Sequence, residues 1–266
     1  MHDPKRMGTQ ADTDWAKRTA LKLLDRYGIT DPEDIDLESI AWDLGIDIRE
    51  SDLKSSEAQL IRKGKTGLIR IRRGESDTPR GRFSIAHELG HWELHPHGNQ
   101  YWVCTVDQIH RYRGNSMEIE ANAYSAELLM PTPMFRPLCK KGTFGLALTD
   151  HLANKFGTSL QATALRMVEE TDEPAIVVLS DGESVCWSKR NQKKLPDFEF
   201  HIAKGSELDS ETRAWAAAVD GDSSGLVDAK AWFPHLKDHY YYSVHEDVRY
   251  FDEYDLALSL IVVHQD

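Results

Sequence analysis

The 266-residue chain has no long apolar run. The longest, residues 256–263, falls far short of the roughly 20 residues a membrane-spanning helix needs, and the first twenty residues hold no apolar core of the secretory type. A cytoplasmic protein with no membrane partner is expected. Cysteine is also scarce: Cys104, Cys139 and Cys186 are odd in number and share no close spacing, which argues against a disulfide framework and a thiolate-bound zinc. No glycine-rich phosphate loop occurs, and no Ser/His/Asp order points to a serine hydrolase. Positive charge is in deficit, with 32 Lys+Arg against 44 Asp+Glu and a net charge of -12. The deficit is concentrated: residues 173–266 carry 9 basic against 18 acidic side chains, so that part should repel nucleic-acid phosphate.

What the chain does contain is His87-Glu88-Leu89-Gly90-His91, set in the stretch 82–95, Arg-Phe-Ser-Ile-Ala-His-Glu-Leu-Gly-His-Trp-Glu-Leu-His. Two imidazoles four residues apart share one helix face and can both reach a zinc ion at about 2.0–2.1 Å. Glu88 then stands at the open side of the ion, suited to act as a base. Phe83, Ile85, Ala86 and Leu89 give the stretch the apolar flanks of a buried helix. Gly90 costs about 1 kcal/mol of helix propensity, which a plain surface helix would avoid.

Such a site needs a third ligand from elsewhere. A metzincin would carry glycine at 94 and histidine at 97; His97 is present, but position 94 is Leu and Pro96 precedes the histidine. The aminopeptidase spacing would want glutamate where His110 stands, and a deformylase would want an upstream cysteine. The stretch 116–131, Ser-Met-Glu-Ile-Glu-Ala-Asn-Ala-Tyr-Ser-Ala-Glu-Leu-Leu-Met-Pro, reads as a helix stopped by proline. Its Glu118 and Asn122 share a face, so Glu118 is the candidate ligand and Asn122 a group that orients a ligating histidine. Glu120 lies about 200° away around the helix and is the weaker choice.

The segments RFSIAHELGHWELHP, MEIEANAYSAELLMP and LANKFGTSLQATALRMVE, in that order, resemble the ImmA/IrrE (M78) metallopeptidases over roughly residues 12–170. The resemblance implies a zincin-like α+β domain, zinc held by His87, His91 and Glu118, and Glu88 as the catalytic residue. It also implies a substrate class: helix-turn-helix repressors of the phage type, cut to release genes controlled by stress or mobile elements. The ligand set itself admits manganese or iron as well as zinc.

The remaining residues fill out the expectation. Residues 1–11 are polar and expected to be disordered. Residues 12–172 form the metallopeptidase domain, and 173–266 a smaller acidic α/β domain open to a regulatory role. Helices are expected over 14–27 and 37–44, and strands over 47–49 and 58–73. Residues 62–82 hold eight basic side chains, among them Arg70, Arg72 and Arg82, candidates for steering or binding substrate. The strand itself could offer a free edge to an extended peptide. Residues 95–115 read as a loop. His95, four residues after His91, is placed to back the site, and Tyr101, His110 and Tyr124 are candidates for stabilising an oxyanion. Residues 146–168 read as two helices joined near Gly157, like a helix-turn-helix. Arg166 is the only basic residue of the second helix, so packing is favoured over DNA reading. The last third reads as a hairpin over 175–188 with an Asp181-Gly182 turn, a helix over 210–219 and a strand over 257–264. Two other functions compete with a peptidase: a non-proteolytic metal-containing regulator that binds a repressor, and a DNA-binding regulator.

Overall fold

The computed structural model describes residues 10–53, 57–96, 100–104 (backbone only), 116–196, 199–236 and 242–265. Of the stretch expected to be disordered, residues 1–9 lie outside these, as do His97 and His110. The fold is mixed α+β with two sheets, and no helix among the described residues is long and apolar enough to cross a membrane. The chain divides into two compact units, Met1–Met134 with Asn154–Ser159, and Phe135–Ala153 with Leu160–Asp266.

The first unit opens with α1 (Thr13–Arg26), capped by Asp12, whose carboxylate accepts from Trp15 N at 2.8 Å. A short 3-10 turn (Pro32–Asp34) leads to α2 (Leu37–Asp43), capped by Asp36. Caps of this kind are worth about 1 kcal/mol each. Strands β1 (Ile46–Ser51), β2 (Ala58–Lys63) and β3 (Thr66–Arg72) follow. Between β2 and β3 the two-residue turn Gly64-Lys65 takes φ +60° at its glycine, as a tight hairpin requires. The helix α3 (Pro79–Leu94) starts on a Thr78 cap with proline in its first turn and is buried over most of its circumference. Strand β4 (Gln100–Cys104) and helix α4 (Ser116–Leu129) complete the unit's main elements. Strand order is β1-β3-β2-β4, parallel between β1 and β3 and antiparallel elsewhere. Helix α3 packs against β2 and β3 and also against α1 and α4, around a core that includes Leu60, Ile69, Ile71, Ile85, Leu89 and Leu128.

Two expectations fail here. The basic strand β3 has no free edge, because it lies between β1 and β2, so it cannot accept a peptide by strand addition. Nor is 95–115 a continuous loop: β4 pairs with β2 in register Leu60↔Trp102, because an interior strand leaves ladder groups that a neighbour must satisfy.

The second unit contains α5 (Thr132–Cys139) from Phe135 on, most of α6 (Leu146–Phe156), α7 (Leu160–Glu170), and strands β5 (Ala175–Ser180) and β6 (Val185–Arg190). Next come α8 (Arg213–Asp220), β7 (Ser223–Asp228), the single turn α9 (Ala229–Trp232), β8 (Tyr242–Phe251) and β9 (Leu256–Gln265). The hairpin β5–β6 and the final strand stand where the sequence placed them. The sheet runs β6-β5-β9-β8-β7 and is antiparallel throughout, so the unit is α+β and not the expected α/β. Period-two alternation along β5 explains its two buried faces. Ala175, Val177 and Leu179 pack with Ala164 and Val168 of α7, while Ile176 and Val178 pack with Ala214, Ala217 and Phe233 on the other side. The composition shift near residue 172 therefore does not coincide with the packing division: α7 covers one face of the C-terminal sheet because that face is apolar and needs a cover.

Candidate metal centre

Two helices of the first unit build one polar cluster inside it. Helix α3 supplies His87, Glu88 and His91, each fully buried; α4 supplies Glu118, only 4% exposed, and Asn122, fully buried. Nε2 of His87 lies 3.1 Å from Nε2 of His91; Oε2 of Glu118 is 3.2 Å from the first and Oε1 is 3.4 Å from the second. These are the dimensions of a metal cage. Ligand atoms bound tetrahedrally at about 2.0–2.1 Å stand about 3.3–3.4 Å apart, so the three groups fit a zinc-sized ion with one position left over. Among the described residues no other group of three ligating side chains gathers in this way.

The helices reach this separation because of Gly90. A β-carbon there would stand 3.1 Å from Ala121 Cα, 3.2 Å from Ala121 O and 3.2 Å from Tyr124 Cδ1. The propensity lost at Gly90 thus allows α4 to approach close enough for Glu118 to meet both imidazoles. On the sheet side, Gly67 plays a similar part for Trp92, whose ring would lie 2.7 Å from a β-carbon on β3. The guanidinium of Arg62 then covers that ring at 3.7 Å from its centre and donates to Trp92 O at 3.0 Å, closing the end of α3.

Electrostatics suit ligation. Burial pulls the His91 imidazole down to about 4, against the opposing pull of Glu118, so at neutral pH it is uncharged, the form that binds metals. Burial by itself would raise Glu118; hydrogen bonds with His87 and His91 outweigh it and hold the carboxyl well below the usual range. The result is a neutral imidazole at His91 beside an anionic carboxylate at Glu118.

The other sequence candidates are placed as follows. Asn122 Oδ1 is 2.9 Å from His87 Nδ1. His95 is 7% exposed, its ring 5.5 Å from that of His91 and its Nε2 3.3 Å from Met117 O and 3.7 Å from Glu120 Oε2. Glu120, the rejected ligand, also accepts from Asp12 N at 2.8 Å and so ties α4 to the start of α1. Tyr124 is a fully buried core residue whose phenol is pushed well up, chiefly by burial. Arg70 donates to Ser51 Oγ and Gln59 Oε1, Arg72 pairs with Glu75, and Arg82, half-buried, donates to Ile35 O. Arg73 and Arg80 are paired too, with Asp52 and the buried Glu57. The basic stretch is therefore largely committed to its own neighbours. Strand and helix periodicity show which face a side chain is on, but not which carboxylates the fold will bring to it. Tyr101 lies on β4, and His110 is outside the described residues.

Residues 41–168 match the family model of peptidase M78, described as the IrrE N-terminal-like domain. No curated protein sequence matches the chain. Among solved structures, a Mycobacterium tuberculosis transcriptional regulator is similar at TM-score 0.61 and 15% identity, over 95% of this chain and 76% of its own length. At that identity the likeness is one of fold. His87, Glu88, His91 and Glu118 all lie inside the matched span, so it is the part of the chain bearing the buried cluster, residues 41–168, that is similar to the M78 (ImmA/IrrE) peptidase domain.

Proposed function

We propose that the protein is a zinc-dependent endopeptidase that cuts a helix-turn-helix transcriptional repressor of the phage type, and so controls a stress response or a mobile element. The observation that carries the chemistry is the buried triangle of His87, His91 and Glu118 with Glu88 one residue along α3. The substrate class rests on the family. By their sequence, residues 12–172 are read as a zincin-like metallopeptidase domain whose last helix, α7, also covers the C-terminal sheet; 146–168 are read as a helix-turn-helix-like pair, and 173–266 as an acidic module open to a regulatory role. Against DNA reading, Arg166 is 2% exposed and pairs with Glu170 at 3.4 Å, so its charge is spent inside the fold.

His87, His91 and Glu118 would hold the ion, with manganese or iron as other occupants of the same donors. When bound, zinc polarises the scissile carbonyl and acidifies a water toward pKa 7. Glu88 takes the proton of the attacking water and returns it to the leaving amine, so one carboxyl serves as base and then as acid. Its burial beside α4 keeps bulk water away from that proton.

The test is to incubate the purified chain and zinc with repressors encoded beside it. Discrete fragments are expected from the wild type, and a rate lower by about 10²- to 10⁴-fold from Glu88→Gln, with metal content unchanged. Equal cleavage by Glu88→Gln, or intact repressors with the zinc-loaded wild type, would overturn the reading.

A further inference from the structure

A metal bound through Nε2 of His87 requires the proton of that ring to sit on Nδ1, and nothing within α3 imposes this choice. Imidazole tautomers are close in energy, and a ring with its proton on Nε2 presents hydrogen where the ion should be. The structure supplies a selector from the other helix. Asn122 is fully buried, one turn after Glu118 on α4, with Oδ1 2.9 Å from His87 Nδ1. An amide oxygen accepts only, so it pairs with Nδ1–H. The reversed amide would set N–H against the Nδ1 lone pair and force the proton to the metal side.

We infer that Asn122 is a positioning residue: its carbonyl fixes the tautomer and the plane of His87, so that Nε2 faces Nε2 of His91 and the carboxylate of Glu118. Because Asn122 and Glu118 sit four residues apart on one helix, a single docking of α4 delivers both the third ligand and the group that orients the first. The Gly90–Ala121 contact lies one residue before Asn122 and sets how deep that docking goes. The inference rests on the metal site proposed above.

Zinc affinity of the full chain, measured by competition with a chromogenic chelator, tests it, together with the visible spectrum of the cobalt(II)-loaded protein. Asn122→Ala is expected to bind zinc about 10- to 100-fold more weakly, and to shift the cobalt bands, as removal of such a partner does. Asn122→Asp keeps an acceptor of the same size and should retain affinity within a few-fold. The metal-free variants are compared by circular dichroism and urea unfolding. A residue that merely packs α4 would lower metal-free stability and give Ala and Asp the same loss of affinity. Wild-type affinity in Asn122→Ala, or equal weakening in both variants, overturns the inference. If instead His91→Ala leaves wild-type zinc binding untouched, it is the metal site itself that fails, and the two failures are told apart.

Discussion

Glu118 in the first unit and Glu246 in the second are both buried, and the two are held in opposite ways. Glu246 on β8 is fully buried and accepts four hydrogen bonds, from Arg213 N and Ala214 N at 2.9 Å and from Trp232 Nε1 and Ser259 Oγ at 3.1 Å. Every donor is part of the fold, and two are the first amides of α8, so Glu246 works as an internal helix cap. Glu118 faces two imidazole nitrogens, which donate to it only while they carry protons and offer lone pairs instead in the form that binds a metal. A buried anion set against acceptors stabilises little until a cation arrives. The first arrangement completes the fold; the second gathers polar groups that could take a metal ion.

Substitution should separate the two. Glu246→Ala strands four donors, three of them buried, each buried one costing about 1–3 kcal/mol when unsatisfied, so urea unfolding should show a loss of at least about 3 kcal/mol with zinc affinity unchanged. Glu118→Ala should do the reverse. Zinc binding by chelator competition should weaken more than about 100-fold, beyond the loss from an orienting partner, while metal-free stability stays within about 1 kcal/mol of the wild type. Equal stability losses in the two variants would erase the distinction. Gly90→Ala comes next: the added methyl gains about 1 kcal/mol of helix propensity but meets backbone of α4, and a net destabilisation of about 1–2 kcal/mol with weaker zinc binding is expected. A more stable protein with unchanged affinity would show that α4 can retreat freely.

The smallest effect involves an exposed carboxylate with the same capping task as Glu246. Asp36 accepts from Ser39 Oγ at 2.7 Å and from Ser39 N and Glu38 N at 3.0 Å, and these bonds, that from the Ser39 hydroxyl first, lower its pKa. A depressed folded pKa means stability present above the unfolded value near 3.8 and lost as pH falls through the folded one. Asp36→Ala should therefore cost about 1 kcal/mol at pH 7 and progressively less below pH 4, measured by unfolding across pH. Glu246 carries the opposite sign. Burial raises its pKa despite its hydrogen bonds, so its contribution is largest below the unfolded value near 4.5 and declines as pH rises through the folded one.

Much of this was legible in the chain because it is local. The helix bearing His87 and His91, the choice of Glu118 over Glu120 by helix angle, the β5–β6 hairpin and the last strand all depend on spacing within one element. The basic stretch shows where such reading stops. Arg70 and Arg72 alternate with Ile69 and Ile71, which places them on one strand face. Their engagement with Ser51, Gln59 and Glu75 depends on β1 and β2 flanking β3, which residue order does not state. The association of α7 with the C-terminal sheet escaped the charge count for a like reason: apolar burial, and not net charge, decides which unit a helix joins.

By itself the sequence determined the histidine pair, the adjacent carboxylate and the second helix able to add a third donor, since each follows from the 3.6-residue period of one continuous helix. Only the tertiary structure decided that α3 and α4 approach at Gly90, that Asn122 meets His87 and that Tyr124 is buried in the core. Those outcomes are set by the distance and register between elements far apart in the chain, and no single-element periodicity encodes either.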